Sequence, residues 1–376
     1  MTPTLTVRLG TRSSALATAQ SQMVARDLEA AAARAEVPLQ VELVPVRTRG
    51  DVDPTSLSRL GGTGVFAAAL REALLAGGCD LAVHSFKDLP TAPVPGLTVA
   101  AVPLRQDPRD ALCARPDLAG RAAPEPGGRA VPGLSEPAGP APGLGLLPPG
   151  ARVGTGSPRR AAQLLAARPD LQVVDLRGNV PTRLSRVLGP ALSADGSLGA
   201  VQEPDLDAVV LALAGLRRLR LEGWASLVLA GTTQQAATTG APLMLPAPAQ
   251  GALAVETRTD VAETLPALAT ALAALDDPAA RAAAIAERAV LAGLQAGCAA
   301  PVGALAQVEG QRLDLEAAVV SLDGARRVTV REQGPAAQAA TLGARAAAAL
   351  LAQGAAQVAD LQATRTPRHQ DPRGRA

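Results

Sequence analysis

A short cluster of polar side chains follows a buried apolar run, and its residue types could bind a ligand and move a proton. The run from Leu81 to Val83 predicts a buried strand. The polar side chains that follow it are His84, Ser85, Lys87 and Asp88. In open α/β sheets, ligands bind just beyond the carboxyl ends of the strands. Residues 84–88 are therefore predicted to form part of a binding or catalytic site.

Lys87 is the only lysine in the chain, because the other 35 of the 36 basic Lys and Arg residues are arginines. A compact ammonium fits where a planar guanidinium does not, so this bias predicts that Arg fails at position 87. Chance survival of one lysine is the alternative. Asp88 has two open roles: an ion pair with Lys87 or an arginine, or a carboxylate that faces a cation or cycles a proton. For His84 a hydrogen-bonded structural role is favoured over direct catalysis.

The predicted strand-end loops are rich in arginine, which favours an anionic ligand. Ser157 and Pro158 predict a helix start, followed directly by Arg159 and Arg160. The amides and the positive dipole end of such a helix attract anions, and arginine forks grip carboxylates. The same kind of loop elsewhere carries Arg12, Arg47, Arg49, Arg59, Arg177, Arg183, Arg217 and Arg218. We expect a ligand with several carboxylates or phosphates, which charge alone does not distinguish.

The three cysteines have no C-x-x-C spacing, which predicts reduced thiols in a cytoplasmic protein. Cys79 and Cys113 lie in or beside apolar strands and are predicted to be core residues. Cys298 lies among small residues, which leave room for a large group on its sulfur. No histidine is near Cys298 in sequence, which disfavours a Cys-His hydrolase, and no metal-ligand cluster is present.

Alternating strand and helix patterns over the first 100 residues predict a parallel α/β unit, and a second unit repeats its landmarks in order. Residues 8–13 match 152–157, residues 48–51 match 176–179, and residues 80–83 match 207–210. The predicted fold is therefore α/β, with two similar lobes that resemble type II periplasmic binding proteins and face a central cleft. From residue 278 onward, a helix and three alternating strands predict a small C-terminal α+β domain with a three-stranded antiparallel sheet.

These patterns set the predicted domain boundaries. The first lobe takes residues 1–105 with a return segment at about 248–275, the second takes 106–247, and the third domain takes 276–376. The stretch 117–150 is rich in Pro, Gly and Ala and is predicted to be a flexible surface insert. Smaller inserts are predicted at 189–204 and 231–242. The glycine-rich loop 47–64 predicts a mobile lid, whose candidate residues are Arg49, Asp51, Arg59 and Phe66.

Composition excludes several classes of partner. The net charge is only +2 and aromatic residues are 1% of the chain, so neither nucleic acid nor a membrane surface is an expected partner. No uninterrupted apolar run is long enough for a membrane span, and no export signal is evident. A cytoplasmic monomer is expected, since no long apolar patch or heptad repeat is present.

The motifs closely resemble the porphobilinogen deaminase (hydroxymethylbilane synthase) family, in order across residues 5–305. They are Gly10-Thr11-Arg12-Ser13-Ser14-Ala15-Leu16-Ala17, Thr48-Arg49-Gly50-Asp51, Val83-His84-Ser85-Phe86-Lys87-Asp88-Leu89-Pro90, Asp107-Pro108-Arg109-Asp110-Ala111, Gly154-Thr155-Gly156-Ser157-Pro158-Arg159-Arg160, Leu176-Arg177-Gly178-Asn179-Val180, Ala214-Gly215-Leu216-Arg217-Arg218-Leu219, Gln250-Gly251-Ala252 and Gly297-Cys298. Beyond Cys298 only the pattern of elements is similar.

This resemblance implies a transferase of haem and tetrapyrrole biosynthesis. It would carry a dipyrromethane cofactor on Cys298 through a thioether and add four porphobilinogen units to it, each with loss of ammonia. Hydrolysis would then release hydroxymethylbilane. Asp88 would be the catalytic residue and would contact pyrrole N–H groups. The resemblance assigns cofactor binding to Ser85, Lys87, Asp88, Thr155, Ser157, Arg159, Arg160 and Arg183. It assigns substrate binding to Arg12, Ser14, Arg177 and Arg218.

Two departures and two rival functions accompany the resemblance. Relatives often have lysines where this chain has Arg59 and Thr63 in the lid, and a glycine where it has Ala296. One rival is a non-enzymatic two-lobed binding protein for a polycarboxylate or phosphate solute. The other is a cysteine-dependent transferase without a bound cofactor. Only the deaminase predicts two pyrrole units covalently attached to the chain.

Overall fold

The computed structural model describes residues 4–46, 64–120, 143–189, 204–297 and 299–362. Its strands are β1 (Leu5–Thr11), β2 (Leu39–Pro45), β3 (Leu81–Ser85), β4 (Leu97–Ala101), β5 (Asp110–Ala114), β6 (Arg152–Gly154), β7 (Gln172–Val174), β8 (Ala208–Ala212), β9 (Leu227–Val228), β10 (Leu253–Arg258), β11 (Val302–Glu309), β12 (Arg312–Val320) and β13 (Arg327–Pro335).

Its helices are α1 (Ala15–Arg34), α2 (Gly64–Leu75), α3 (Pro158–Ala167), α4 (Val180–Leu188), α5 (Leu213–Arg218), α6 (Thr233–Thr239), α7 (Val261–Thr264), α8 (Pro266–Leu275), α9 (Pro278–Gly293), α10 (Ala339–Ala352) and α11 (Ala355–Val358). Two predicted features lie outside the described residues. They are the cofactor cysteine Cys298 and the lid residues Arg49, Asp51 and Arg59.

The first lobe is built on a five-stranded sheet of order β2-β1-β3-β10-β4. β1 runs parallel to both β2 and β3, whereas β10 runs antiparallel to β3 and β4. The apolar face of α1 covers one side of this sheet, where Val24 and Leu28 pack with Val7 and Leu9. The predicted parallel unit is therefore correct for the first four strands, but the returning strand β10 runs against them.

The second lobe repeats this design with the order β7-β6-β8-β5-β9. Here β5 is the antiparallel strand, paired with β8 and β9. Each sheet thus takes its antiparallel strand from one of the two chain segments that cross between the lobes. The two lobes therefore share one α/β design, as the sequence predicts.

The internal repeat extends to the register of single residues. Gly10 of β1 is the partner of Ala82 in β3, and Gly154 of β6 is the partner of Val209 in β8. An aspartate holds each pair of strands: Asp80 Oδ2 accepts from the Arg8 amide at 2.8 Å, and Asp207 Oδ2 accepts from the Arg152 amide at 2.8 Å. These equivalences match the sequence alignment of the two lobes.

The third domain contains the predicted three-stranded antiparallel sheet, in the order β11-β12-β13. α9 and α10 pack on it around a core that includes Val290, Leu315 and Leu342. The exact domain boundaries given above stay a prediction.

The Pro/Gly/Ala-rich stretch 117–150 is not a surface insert throughout, which corrects the expectation for its ends. Leu144 and Leu147 are buried in the core of the second lobe, with Leu118 and Leu146 packed beside them. The stretch 231–242 is also ordered, because α6 lies within it with Thr232 as its N-cap. Apolar side chains thus anchor segments whose composition alone favours loops. The 190–203 part of the predicted insert 189–204 lies outside the described residues.

No helix in the described part of the chain has the length and apolar character needed to cross a membrane.

Candidate active site

A fully buried carboxylate, Asp110 at the start of β5, organises the centre of the site. Its oxygens lie 2.8 Å from Arg159 Nη2 and 2.7 Å from Arg160 Nη2. Burial would raise the pKa of Asp110, but the two guanidinium groups outweigh it and lower the pKa to about 2. Asp110 is therefore ionised at neutral pH and compensates one of the two arginine charges.

The local sequence explains why both arginines reach this carboxylate. The Ser157 side chain caps α3 by accepting from the Arg160 amide, and Pro158 occupies the first turn. Thr155 Oγ1 accepts from the Ser157 amide at 3.2 Å, which fixes the turn between β6 and α3. Arg159 and Arg160 consequently lie in the first turn, and both are buried.

Lys87 approaches the same centre from the first lobe, on a 3-10 turn (Phe86–Asp88) that follows β3. Its Nζ donates to the side-chain oxygen of Gln250 at 3.2 Å. Burial is the largest influence on its pKa and lowers it to about 8. Asp88 and Asp110 oppose this shift, while Arg160 and Arg159 add to it. The ammonium is therefore close to titration at a mildly alkaline pH.

Gln250 links the cations of the two lobes. Its Oε1 faces Lys87 Nζ and, at 3.5 Å, Arg160 Nη2, while its Nε2 donates to Asp110 Oδ1 at 2.9 Å. Lys87 and Arg160 of the predicted site thus meet at one amide, and Arg159 reaches the same centre through Asp110. Gln250 and Asp110 lie within motifs of the sequence that assign neither residue a role.

Asp88 lies on the same turn as Lys87 and is exposed to solvent. Its charge raises the pKa of Lys87 and of Arg183 against the stronger effect of burial. Within the described part of the chain it forms no salt bridge with either cation. The carboxylate is therefore placed beside the cationic cluster without being neutralised in an ion pair there.

The other predicted ligand-binding residues surround this centre. Arg183 Nε donates to the Gly178 carbonyl at 2.7 Å, and burial lowers the pKa of Arg183 to about 10. Arg218 Nη2 donates to the Gly251 carbonyl at 2.6 Å, and burial lowers its pKa to about 10 as well. Both residues remain charged at neutral pH. Arg177 is exposed, 3.3 Å from Asp175.

On the first lobe, Ser85 Oγ accepts from Gln20 Nε2 at 2.9 Å, which ties the end of β3 to α1. Ser14 caps α1 through the Ala17 amide, and Arg12 lies in the turn just before this cap. For Phe66 the structure describes only the backbone, within α2.

His84 is buried in β3 behind the turn, where its Nε2 lies 3.2 Å from Glu256 Oε2. Glu256 is also held by Arg71 Nη2 at 2.9 Å. This location, away from the Asp110 cluster, agrees with the structural role favoured for His84. Cys79 and Cys113 are fully buried, as expected for core residues.

The cluster fits a ligand with several carboxylates. Lys87, Arg159 and Arg160 carry three positive charges against the single charge of Asp110. Arg159 Nε and Arg218 Nε are buried and have no hydrogen-bond partner among the described residues. Buried donors without partners are costly, so these groups favour an anionic ligand at the site.

Fold and site define a two-lobed protein with a buried cluster of cations at the junction of its lobes and a third domain attached to it. The family model described as "Porphobilinogen deaminase, dipyromethane cofactor binding domain" matches residues 7–266, and "Porphobilinogen deaminase, C-terminal domain" matches residues 282–352. The chain belongs to the porphobilinogen deaminase family.

Curated relatives agree over nearly the whole length. Porphobilinogen deaminase of Cutibacterium acnes is 49% identical over 96% of this chain and 99% of its own length. That of Leifsonia xyli is 48% identical over 96% of each, and that of Thermobifida fusca is 48% identical over 96% of this chain and 98% of its own. Among solved structures, a TRAP periplasmic solute-binding protein of Desulfovibrio salexigens with bound orotic acid covers 94% of each chain, at 13% identity and a TM-score of 0.32.

Family membership confirms the predicted activity and cofactor. The protein is a transferase of tetrapyrrole biosynthesis that joins porphobilinogen units on a dipyrromethane cofactor.

Proposed function

We propose that the cluster of Lys87, Arg159 and Arg160 around Asp110 holds the carboxylates of the dipyrromethane. We also propose that Asp88 accepts hydrogen bonds and a proton from the reacting pyrroles beside this cluster. The observation that supports this most is the excess of positive charge around Gln250, with the exposed Asp88 carboxylate on the same turn as Lys87. When bound, the cofactor supplies the pyrrole to which substrate units are joined.

Three groups of residues bind the cofactor and the substrate. Lys87, Arg159 and Arg160 bind acetate and propionate groups through charge-assisted hydrogen bonds, helped by Arg183. Ser85, Thr155 and Ser157 add hydroxyl groups at the ends of β3 and β6. Arg12, Ser14, Arg177 and Arg218 hold the incoming porphobilinogen and the growing chain.

Asp88 stabilises positive charge and accepts a proton during the reaction. Loss of ammonia leaves the substrate carbon positively charged, and the attacking pyrrole becomes cationic before it loses a proton. A carboxylate that accepts pyrrole N–H bonds stabilises both cations and can receive the proton. Its exposure and its lack of a salt bridge in the described region support this role over simple neutralisation of Lys87.

Cys298 is proposed as the attachment point of the cofactor, with Arg49, Asp51, Arg59 and Phe66 as lid residues. The predicted cytoplasmic location and monomeric state belong to the same proposal. Size-exclusion chromatography with light scattering tests the monomer, since a dimer would double the mass.

Intact-protein mass spectrometry tests the cofactor site. Wild-type protein should show the added mass of two pyrrole units, and Cys298→Ser should show none because a hydroxyl is a far weaker nucleophile than a thiolate. Cys113→Ser serves as the control and should keep the added mass, since that thiol is buried in β5. An adduct that survives Cys298→Ser would contradict the assignment.

A further inference from the structure

The segment Ala249–Ala252 is where the two lobes and the third domain meet. The Ala249 amide donates to Glu287 of α9 at 2.5 Å, and the Gly251 carbonyl accepts from Arg218 of the second lobe at 2.6 Å. The Ala252 carbonyl accepts from the Phe86 amide of the first lobe at 3.1 Å. Gly251 has φ +89°, and a Cβ there would lie 2.3 Å from the Gln106 carbonyl oxygen. The chain can return to the first lobe so tightly only with glycine at this position.

Within this junction, the Gln250 side chain is almost fully buried and uses both ends of its amide. Nε2 donates to the Pro108 carbonyl at 2.7 Å and to Asp110 at 2.9 Å. Oε1 faces Lys87 at 3.2 Å and Arg160 at 3.5 Å. An uncharged group therefore satisfies a carboxylate on one side and two cations on the other.

The amide also separates two opposite charges. Asp110 Oδ1 already accepts from Arg160 Nε at 3.0 Å and Nη2 at 2.7 Å, so Lys87 would compete with Arg160 if it could reach this oxygen. Held by Gln250, the ammonium directs one of its three N–H groups at the described residues. The other two remain for ligand carboxylates.

We propose that Gln250 is a positioning residue: its amide holds Lys87 of the first lobe beside the Asp110–arginine cluster of the second and keeps Lys87 from pairing with Asp110. This inference rests on the proposed function of the site and adds a residue to it. It makes Gln250 the direct mechanical and electrostatic link between cofactor-binding groups on the two lobes.

Several charged groups face Lys87 and determine how it titrates. Asp88 lies on its own turn, Asp110 on β5, and Arg159 and Arg160 on α3. Because these charges oppose one another, we expect the hydrogen bond that Lys87 donates to Gln250 to have a measurable influence on the pKa of the ammonium. A hydrogen bond to a charged group corresponds to a change of roughly one to two pH units.

The single lysine makes a direct measurement feasible. Protein grown with 13C-labelled lysine gives one side-chain NMR signal, which belongs to Lys87. The full chain with Cys298→Ser serves as the background, so that no attached cofactor perturbs the titration. Its signal should titrate near pH 8, in line with the lowered pKa of Lys87.

Two substitutions separate the two parts of the proposal. Gln250→Met fills the space without providing the amide acceptor, so the midpoint of the Lys87 titration should fall by about one to two pH units. Gln250→Ala opens the space between Lys87 and Asp110, so the midpoint should rise above that of Gln250→Met. An unchanged midpoint in Gln250→Met would overturn the holding role, and equal midpoints in both variants would overturn the separating role.

A buried glutamine of the second lobe provides the matched control. Gln163 bonds the Leu245 amide at 2.8 Å and carbonyl at 3.0 Å, so Gln163→Met also removes buried hydrogen bonds. It should lower the melting temperature and leave the Lys87 midpoint unchanged. A control that moves the midpoint equally would show that loosening of the lobe explains the effect and would overturn the proposal.

A second readout separates this inference from the proposed function. With Cys298 restored, the alkaline limb of the rate–pH profile of Gln250→Met should move to lower pH together with the Lys87 midpoint. If the midpoint moves but the profile does not, Gln250 still positions Lys87, whereas the role of Lys87 in the reaction is refuted.

Discussion

At the scale of single residues, the charge of Lys87 is set by burial and by ionised neighbours on three elements. Burial is the main cause that disfavours the protonated form of the ammonium, and Arg160 and Arg159 add to it. The nearby carboxylates Asp88 and Asp110 oppose this shift but do not cancel it. An anionic ligand should therefore stabilise this site strongly, because the ligand supplies the missing negative charge.

Folding stability should therefore depend on pH through Lys87. Its pKa is about 8 in the folded chain against 10.5 for an ordinary lysine, so the unfolded chain holds more protons between these values. The contribution of Lys87 to stability is unfavourable below pH 8 and improves as the pH rises to 10.5. The chain has no other lysine and no tyrosine to obscure this window.

Urea unfolding of Cys298→Ser protein with and without Lys87→Met measures this contribution. As the pH rises from 8 to 10, the free energy of unfolding of the protein with Lys87 should increase relative to that of the Lys87→Met protein. Buried Cys79, whose pKa is raised by burial, is present in both proteins and cancels. A pH-independent difference would show that Lys87 titrates as an ordinary lysine.

Asp88→Asn tests the charge of the proposed catalytic carboxylate at constant shape. We expect turnover to fall by at least about 10²-fold, since positioned proton transfer typically contributes 10²- to 10⁴-fold. The melting temperature should hardly change, because Asp88 is exposed. A variant with reduced stability but normal turnover per folded molecule would instead assign Asp88 to neutralising Lys87.

Residue types and motif matches predicted the cations of the site, but not the groups that hold them. Lys87, Arg159 and Arg160 stood out because each follows a strand end or a capped helix start. Asp110 and Gln250 carry no such local signal. Their roles depend on contacts across 50 and 163 residues, to Arg160 and Lys87, which only the folded chain shows.

At the scale of elements, α9 connects the turn that carries Lys87 and Asp88 to the segment that precedes Cys298. Arg288 of this helix donates to the carbonyl groups of Phe86, Leu89 and Pro90 at 3.1, 2.6 and 2.7 Å. Its guanidinium also lies 4.5 Å from the centre of the Phe86 ring. The turn that carries Lys87 and Asp88 is thus held from the third domain.

Arg288→Lys should misplace this turn although it keeps the charge, because one ammonium cannot span three carbonyl groups as a planar guanidinium does. Turnover should fall by roughly 10- to 100-fold, in the range that a small misplacement can cost. Arg281→Lys is the control on the same helix, since Arg281 bonds the Val99 and Ala100 carbonyls of β4. Equal losses of turnover in both variants would refute a specific role of Arg288.

Periodicity predicted the longer elements to within a few residues, including α1, α9 and the three strands of the third domain. It missed α6, because the Thr- and Gln-rich sequence of this helix lacks an apolar face. It also missed the direction of β5 and β10, since pairing between strands that are distant along the chain leaves no trace in local sequence. Both strands lie next to the segments that cross between the lobes.

At the scale of the whole molecule, one buried carboxylate ties the crossing segments to the third domain. Glu287 is fully buried and lies 2.6 Å from Arg105, which also donates to the Gln250 carbonyl at 2.9 Å. Its oxygens accept from the Ala249 amide at 2.5 Å and the Ala306 amide at 2.7 Å. The chain leaving the first lobe, the chain returning to it and β11 are therefore joined at one point.

Glu287→Gln should destabilise the protein strongly, because it leaves Arg105 buried without its counter-charge. Breaking a buried ion pair in this way lowers the free energy of unfolding by about 3–5 kcal/mol. Asp314→Asn is the control: it breaks the exposed pair with Arg312 and should lower the free energy of unfolding by less than about 1 kcal/mol. Hydrogen exchange should also quicken at Ala249 and Ala306, while the β6–β8 pairing stays protected. Urea unfolding and exchange followed by mass spectrometry measure both effects. If Glu287→Gln lost as little stability as Asp314→Asn and hydrogen exchange at Ala249 stayed unchanged, other contacts would hold the three domains together.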